Sequence, residues 1–151
     1  SNPDYLANQH MEQTGTDENG VPKIRQLPGE NNSLGKVKFL FPNSFNIYFH
    51  DTNAKDLFSR DKRAFSHGCI RLSEPEKMAQ YLLRDQPEWT TEKIEEAMNS
   101  GNEKYVKLKN PVPVIITYYT AWVDDNGRIN FRDDIYSHDQ TLGSKMFVGG
   151  Y

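Results

Sequence analysis

The stretch "KVKFLFPNSFNIYFH", residues 36–50, constrains the fold of this chain more than any other. Its first part alternates, with Val37, Phe39 and Phe41 on one face of an extended segment. Pro42, Asn43 and Ser44 form a turn signal. Beyond it Phe45, Ile47 and Phe49 share one face, while Asn46, Tyr48 and His50 share the other. The spacing predicts a hairpin of two strands, with His50 at the end of the second.

After Leu72 the period becomes helical. Ser73 with Glu76 three residues on reads as a capping box, and Pro75 sits in the first turn. The pattern predicts a helix to about residue 84 that buries Met78, Tyr81 and Leu82, with Pro87 as its breaker. Thr90 or Thr91 opens a second helix carrying Ile94, Ala97 and Met98, and Gly101 ends it. "KYVKL" and "VPVIITYYT" read as strands. "AWVDDNGRINF" reads as a hairpin, because Asn126-Gly127 is a strong turn signal. The tail from Ser137 is polar and is expected to be loose. Together these elements describe a β-rich α+β domain with a helical insert.

Residues 1–35 are rich in Asn, Gly, Gln and Pro, with scattered apolar residues such as Tyr5, Leu6, Val21 and Ile24. They are expected to be irregular, either as a lid over a site or as a loose terminus. The whole chain has 151 residues, enough for one domain with a real core but not comfortably for two. Its 12% aromatic content argues against disorder. The net charge of −3, with no basic run, argues against a nucleic-acid partner. The longest apolar run, "PVPVIITYYTAWV", is too short and polar for a transmembrane segment.

The one cysteine, Cys69, stands in "SHGCIRL" and has no partner for an intrachain disulfide. Three readings are open: a buried apolar filler, a metal ligand, or a nucleophile. His50, Asp51, His67 and Cys69 are all permitted zinc ligands, but no metal-site spacing joins them. The nucleophile reading needs a base, since the thiolate attacks and a free thiol has a pKa of ~8.5. Eighteen residues, polar and turn-rich, separate His50 from Cys69, so the chain can loop back to bring them together. The imidazole would then need a partner on its other nitrogen, and the Asp51 region is the nearest supplier. Gly68 permits close approach of a substrate, and the N–H groups of Gly68 and Cys69 suit an oxyanion. Arg71 carries a planar fork suited to a carboxylate.

A histidine, 15 residues, then "SHGCIR" resembles the signature of the L,D-transpeptidases, cysteine enzymes that cross-link bacterial peptidoglycan. That signature is a His, a gap of this length, then Ser/Thr-His-Gly-Cys, an aliphatic residue and Asn or Arg. "NIYFHDT" and "FRDDIYSHD" also resemble the long Gram-negative-type form of these YkuD-type enzymes, and the likeness covers residues 36–139.

The resemblance implies a sandwich-like catalytic core over 36–139, a capping loop over 1–35 and a polar tail over 140–151. It implies Cys69 as nucleophile, His50 as base, the Asp51 carbonyl as its orienting group and His67 as a secondary contributor. Gly68 and Cys69 would supply the oxyanion donors, and Arg71, Tyr48 and Ser66 would meet substrate. No cofactor or metal is implied. The expected reaction is 3→3 cross-linking of stem peptides with release of D-alanine, in the periplasm or cell envelope. It would serve cell-wall construction and cell shape, and carbapenem-type β-lactams would be its inhibitors. Family domains begin with several strands before the capping region, and this chain starts almost directly in it, so the expectation is a domain short of its first strands. The alternatives are a papain-like cell-wall peptidase, disfavoured because those place Cys before His, and a non-catalytic wall-binding module.

Overall fold

The computed structural model describes residues 4–29, 31–66 and 68–147. It is a mixed α/β protein with three small sheets and four α-helices among those residues. No described helix is long and apolar enough to cross a membrane. The chain divides into two compact units, Ser1–Val112 and Pro113–Tyr151.

The first unit opens with helix α1 (Tyr5–Asn8) and an antiparallel pair, β1 (Met11–Thr16) with β2 (Pro22–Gln26). This corrects the expectation of an irregular segment. The turn is organised by Asp17, whose Oδ1 accepts from the N–H groups of Asn19 and Val21 at 2.9 and 2.8 Å. The strands are mostly polar, and their largely exposed faces explain why no apolar alternation announced them.

The predicted pairing of the next two segments is present but short. Strand β3 (Lys38–Phe39) runs antiparallel to β4 (Phe49–His50), with Lys38 opposite His50. The nine residues between them form a loop held by Asn43, which accepts from the Phe45 and Ile47 N–H groups and donates to the Phe41 and Ile47 carbonyls. Phe45 is consequently out in solvent, not on a core face. On the other side of β4 lies β5 (Ile70–Arg71), parallel to it.

Helices α2 (Pro75–Leu83) and α3 (Thr91–Asn99) follow where the period changed. Thr90 caps α3 by accepting from the Lys93 N–H at 3.4 Å. The capping box on α2 does not form: Glu74 is the N-cap and makes no side-chain cap bond, so Pro75 starts the helix by its fixed φ alone. The buried stripe of α2 is also rotated from expectation. It consists of Pro75, Ala79 and Leu83, while Met78 and Leu82 are half-buried and Tyr81 is exposed. Tyr81 instead lies under the Arg84 guanidinium, 4.1 Å from its ring centre. Ala79, Leu83 and Ile94 form the core, with Phe39, Trp89, Met98 and Leu108 packed on it.

Residues 104–108 and 112–120 are not strands. The apolar and β-branched residues that suggested strands are present, but a strand exists only where a neighbour supplies a ladder of hydrogen bonds. Among the described residues only the Arg132 N–H, on the Thr120 carbonyl, makes a backbone bond between segments here. In the second unit Ile115 is 85% exposed. There the predicted hairpin is found as β6 (Ala121–Val123) with β7 (Ile129–Phe131). Asp124 Oδ1 accepts from the Asn126 and Arg128 N–H groups to close it. The supposedly loose tail forms helix α4 (His138–Met146). Its first N–H groups, on His138, Asp139 and Gln140, are capped by the Asp134 carboxylate.

Candidate active site

The three-stranded sheet decides how the motif residues meet. A parallel neighbour requires a crossover of a dozen or more residues, and residues 51–69 supply it. The ladder runs from the Ile70 N–H to the Tyr48 carbonyl at 3.0 Å and from the Leu72 N–H to the His50 carbonyl at 2.8 Å. Phe49 is level with Ile70, and His50 with Arg71. Side chains alternate along a strand, so Tyr48, His50 and Arg71 share one face, with Cys69 just before β5 beside Tyr48.

His50 is buried, with 4% exposure. Its Nδ1 lies 2.5 Å from the Asp51 carbonyl oxygen. A carbonyl only accepts, so Nδ1 carries the hydrogen, and in the neutral ring Nε2 is left as the proton acceptor. The Asp51 side chain faces elsewhere. Its Oδ2 accepts from the Lys36 N–H at 2.9 Å, and its Oδ1 pairs with Lys55 Nζ at 2.6 Å. Burial pushes the Asp51 carboxyl up, but the hydrogen bonds from Lys55, Lys36 and Thr52, with the Lys55 charge, outweigh it and hold it below the usual carboxylate range.

Cys69 is half-buried. Its thiol donates to the Asn46 carbonyl at 3.8 Å, and in the strand register it lies level with Tyr48. Asn46 has φ +54°, a left-handed conformation that asparagine tolerates, and this aims its carbonyl at the sulfur. Burial, followed by the neighbouring Cys69, pushes the Tyr48 phenol up. The Tyr48 and His50 rings meet edge to face, 5.8 Å between centres. No hydrogen bond joins His50 directly to Cys69 among the described residues; the Tyr48 ring meets that of His50, and Tyr48 is level with Cys69 across the two strands.

The turn before Cys69 is closed by Ser66, whose hydroxyl donates to the Cys69 carbonyl at 2.7 Å. Gly68 has φ +151°, a conformation that L side chains rarely adopt. The N–H groups of Gly68 and Cys69 have no acceptor among the described residues. Arg71 likewise has no acidic partner there. His67 lies outside the described residues. Among those residues no three His, Cys, Asp or Glu side chains gather as a metal site.

Sequence reasoning missed Asn46, Lys55 and Lys36. For Lys55 a weak signal was present, since Asp51 and Lys55 stand four apart. For the Asn46 and Lys36 backbone contacts there was none, because any residue type supplies a carbonyl or N–H.

A family model for the L,D-transpeptidase catalytic domain (YkuD) matches residues 1–114. A Haemophilus influenzae protein provisionally named L,D-transpeptidase is 35% identical over 120 residues, 80% of this chain and 24% of that protein. The chain thus spans about a quarter of that relative's length.

Proposed function

The chain belongs to the L,D-transpeptidase catalytic-domain family, and from that premise we propose that it is a cysteine acyltransferase acting on peptidoglycan stem peptides. His50 Nε2 takes the proton of the Cys69 thiol. The thiolate attacks the carbonyl of the third stem residue, a diamino acid. The tetrahedral oxyanion is held by the N–H groups of Gly68 and Cys69. As it collapses, the bond to D-alanine breaks, the imidazolium gives its proton to the leaving amine, and a thioester remains. An amine of a second stem attacks the thioester, forms the 3→3 cross-link and frees the thiol. The residues carry out this chemistry without a cofactor.

The observation that carries this reading is the parallel pairing of β4 with β5, which sets His50, Tyr48 and Arg71 on one face beside Cys69. Supporting it are the hydrogen bond that orients His50 and the N–H groups at Gly68 and Cys69, which have no acceptor among the described residues. The Arg71 guanidinium, without an acidic partner among the described residues, suits a stem carboxylate. Tyr48 lines the same pocket, and Ser66 holds the turn on which a stem would rest. His67 is a secondary contributor. Residues 1–35 act as the cap over the cleft, 36–139 as a sandwich-like core and 140–151 as a tail. The substrate places the working compartment in the periplasm or cell envelope.

Purified tetrapeptide stems test this. The expected products are a cross-linked dimer and D-alanine, both abolished by Cys69→Ala. Cleavage without cross-links would point to a peptidase, and binding without turnover to a wall-binding module.

A further inference from the structure

Asp51 uses its two ends for different tasks. Its backbone carbonyl accepts from His50, while its carboxylate, on a residue only 6% exposed, is held at both oxygens. Lys55 supplies one of those contacts, and its ammonium does more than pair. It has three donors, and three acceptors converge on it: Asp51 Oδ1 at 2.6 Å, the Leu72 carbonyl at 3.1 Å and the Ser73 carbonyl at 3.1 Å. Leu72 and Ser73 are the residues by which the chain leaves β5, and the Leu72 N–H already bonds to the His50 carbonyl. One ammonium therefore ties the end of the base's strand to the end of the nucleophile's strand.

An exposed lysine–carboxylate pair ordinarily matters little. Here three features set it apart: the carboxylate is buried, the other two partners are backbone, and the peptide being fixed carries the carbonyl that orients the imidazole. With the carboxylate anchored, the Asp51 Cα is fixed, which limits how far that peptide can swing. We infer that Lys55 is a positioning residue, which holds the Asp51 peptide so that His50 keeps its Nδ1–H tautomer and presents Nε2 to the thiol side. Lys55 touches neither substrate nor sulfur in this role; it acts through Asp51. The inference rests on the proposed role of His50 as base.

The test uses Lys55→Met and Lys55→Arg beside the wild-type chain. Nitrogen NMR of the His50 ring reads the tautomer without any substrate, and mass spectrometry reads the rate at which a stem peptide or β-lactam acylates Cys69. Lys55→Met should give a mixture of tautomers and slow acylation by about tenfold, with the loss in kcat and not in KM. Lys55→Arg should restore most of both. The inference is overturned if Lys55→Met keeps the wild-type tautomer, or if acylation slows only in proportion to the unfolded fraction. Lys55→Gln, which can still reach the two carbonyls, replaces Lys55→Met should the latter not fold, with the same two outcomes. If the wild-type chain is never acylated, the proposed activity fails, while the tautomer comparison still decides the role of Lys55.

Discussion

Replacing Gly35 by alanine should be the most damaging single-methyl change in the first unit. Gly35 has φ +63°, and a Cβ built there would overlap the Asp51 carboxylate. Two costs follow. The left-handed conformation costs alanine roughly 1–2 kcal/mol. The carboxylate must also swing away, which stretches or breaks its bond from the Lys36 N–H, and a hydrogen bond to a charged group contributes about 1.5–3 kcal/mol. The sum is about 3–5 kcal/mol, a large part of the roughly 5–15 kcal/mol that holds a domain folded. Gly20→Ala is the matched control. Its φ is +78°, yet nothing lies within 4 Å of a Cβ there, so only the first cost applies. The stiffening of the unfolded chain by alanine is common to both and cancels in the difference. Urea unfolding should then place the Gly35→Ala midpoint about 0.5–3 M below that of Gly20→Ala, given slopes of about 1–3 kcal/mol per M. Equal midpoints would refute the argument, because they would mean that the Asp51 carboxylate has room to move at no cost.

Three further outcomes follow from the same geometry. Exposure to a carbapenem should add one covalent adduct, seen by intact-protein mass spectrometry. Cys69→Ala should show none, and His50→Ala should acylate more slowly by about a hundredfold or more, the low end for loss of a general base. Arg71→Ala should lower kcat/KM by about tenfold or more, partly through a raised KM, as expected for one lost charge-assisted bond; unchanged constants would leave Arg71 without a substrate role. The folded-state carboxyl of Asp51 is held below its ordinary value, so its contribution to stability is present above about pH 3.9 and is lost as pH falls through the folded value. Lys55→Met removes one of the groups that lower it, so acid unfolding followed by circular dichroism should begin at a higher pH in the variant than in the wild type.

Much of this protein was legible in its residues because the relevant signals are local. The period of 73–99 foretold α2 and α3, Thr90 marked a cap, and Asn126-Gly127 marked the turn of β6 and β7. The spacing from His50 to "SHGCIR" pointed to the family, which a match over residues 1–114 bears out. The misses have a common cause. Residues 104–108 and 112–120 have strand-like composition, but composition supplies no neighbour, and a strand is a relation between two segments. The β1–β2 pair has the reverse character, a real ladder with little apolar alternation to announce it. Helix α4 depends on an aspartate outside its own span, Asp134, meeting three N–H groups. The same division runs through the candidate site. Residue types chose the chemistry: a thiol, an imidazole, a guanidinium and a glycine that can turn where others cannot. Only the tertiary structure decided that β4 and β5 run parallel, that the Tyr48 ring meets the imidazole, and that Lys55 gathers an acid and two carbonyls from 17 and 18 residues away. Backbone carbonyls and N–H groups do most of that gathering. Every residue carries them, so no sequence pattern reveals which ones will meet until the chain has closed on itself.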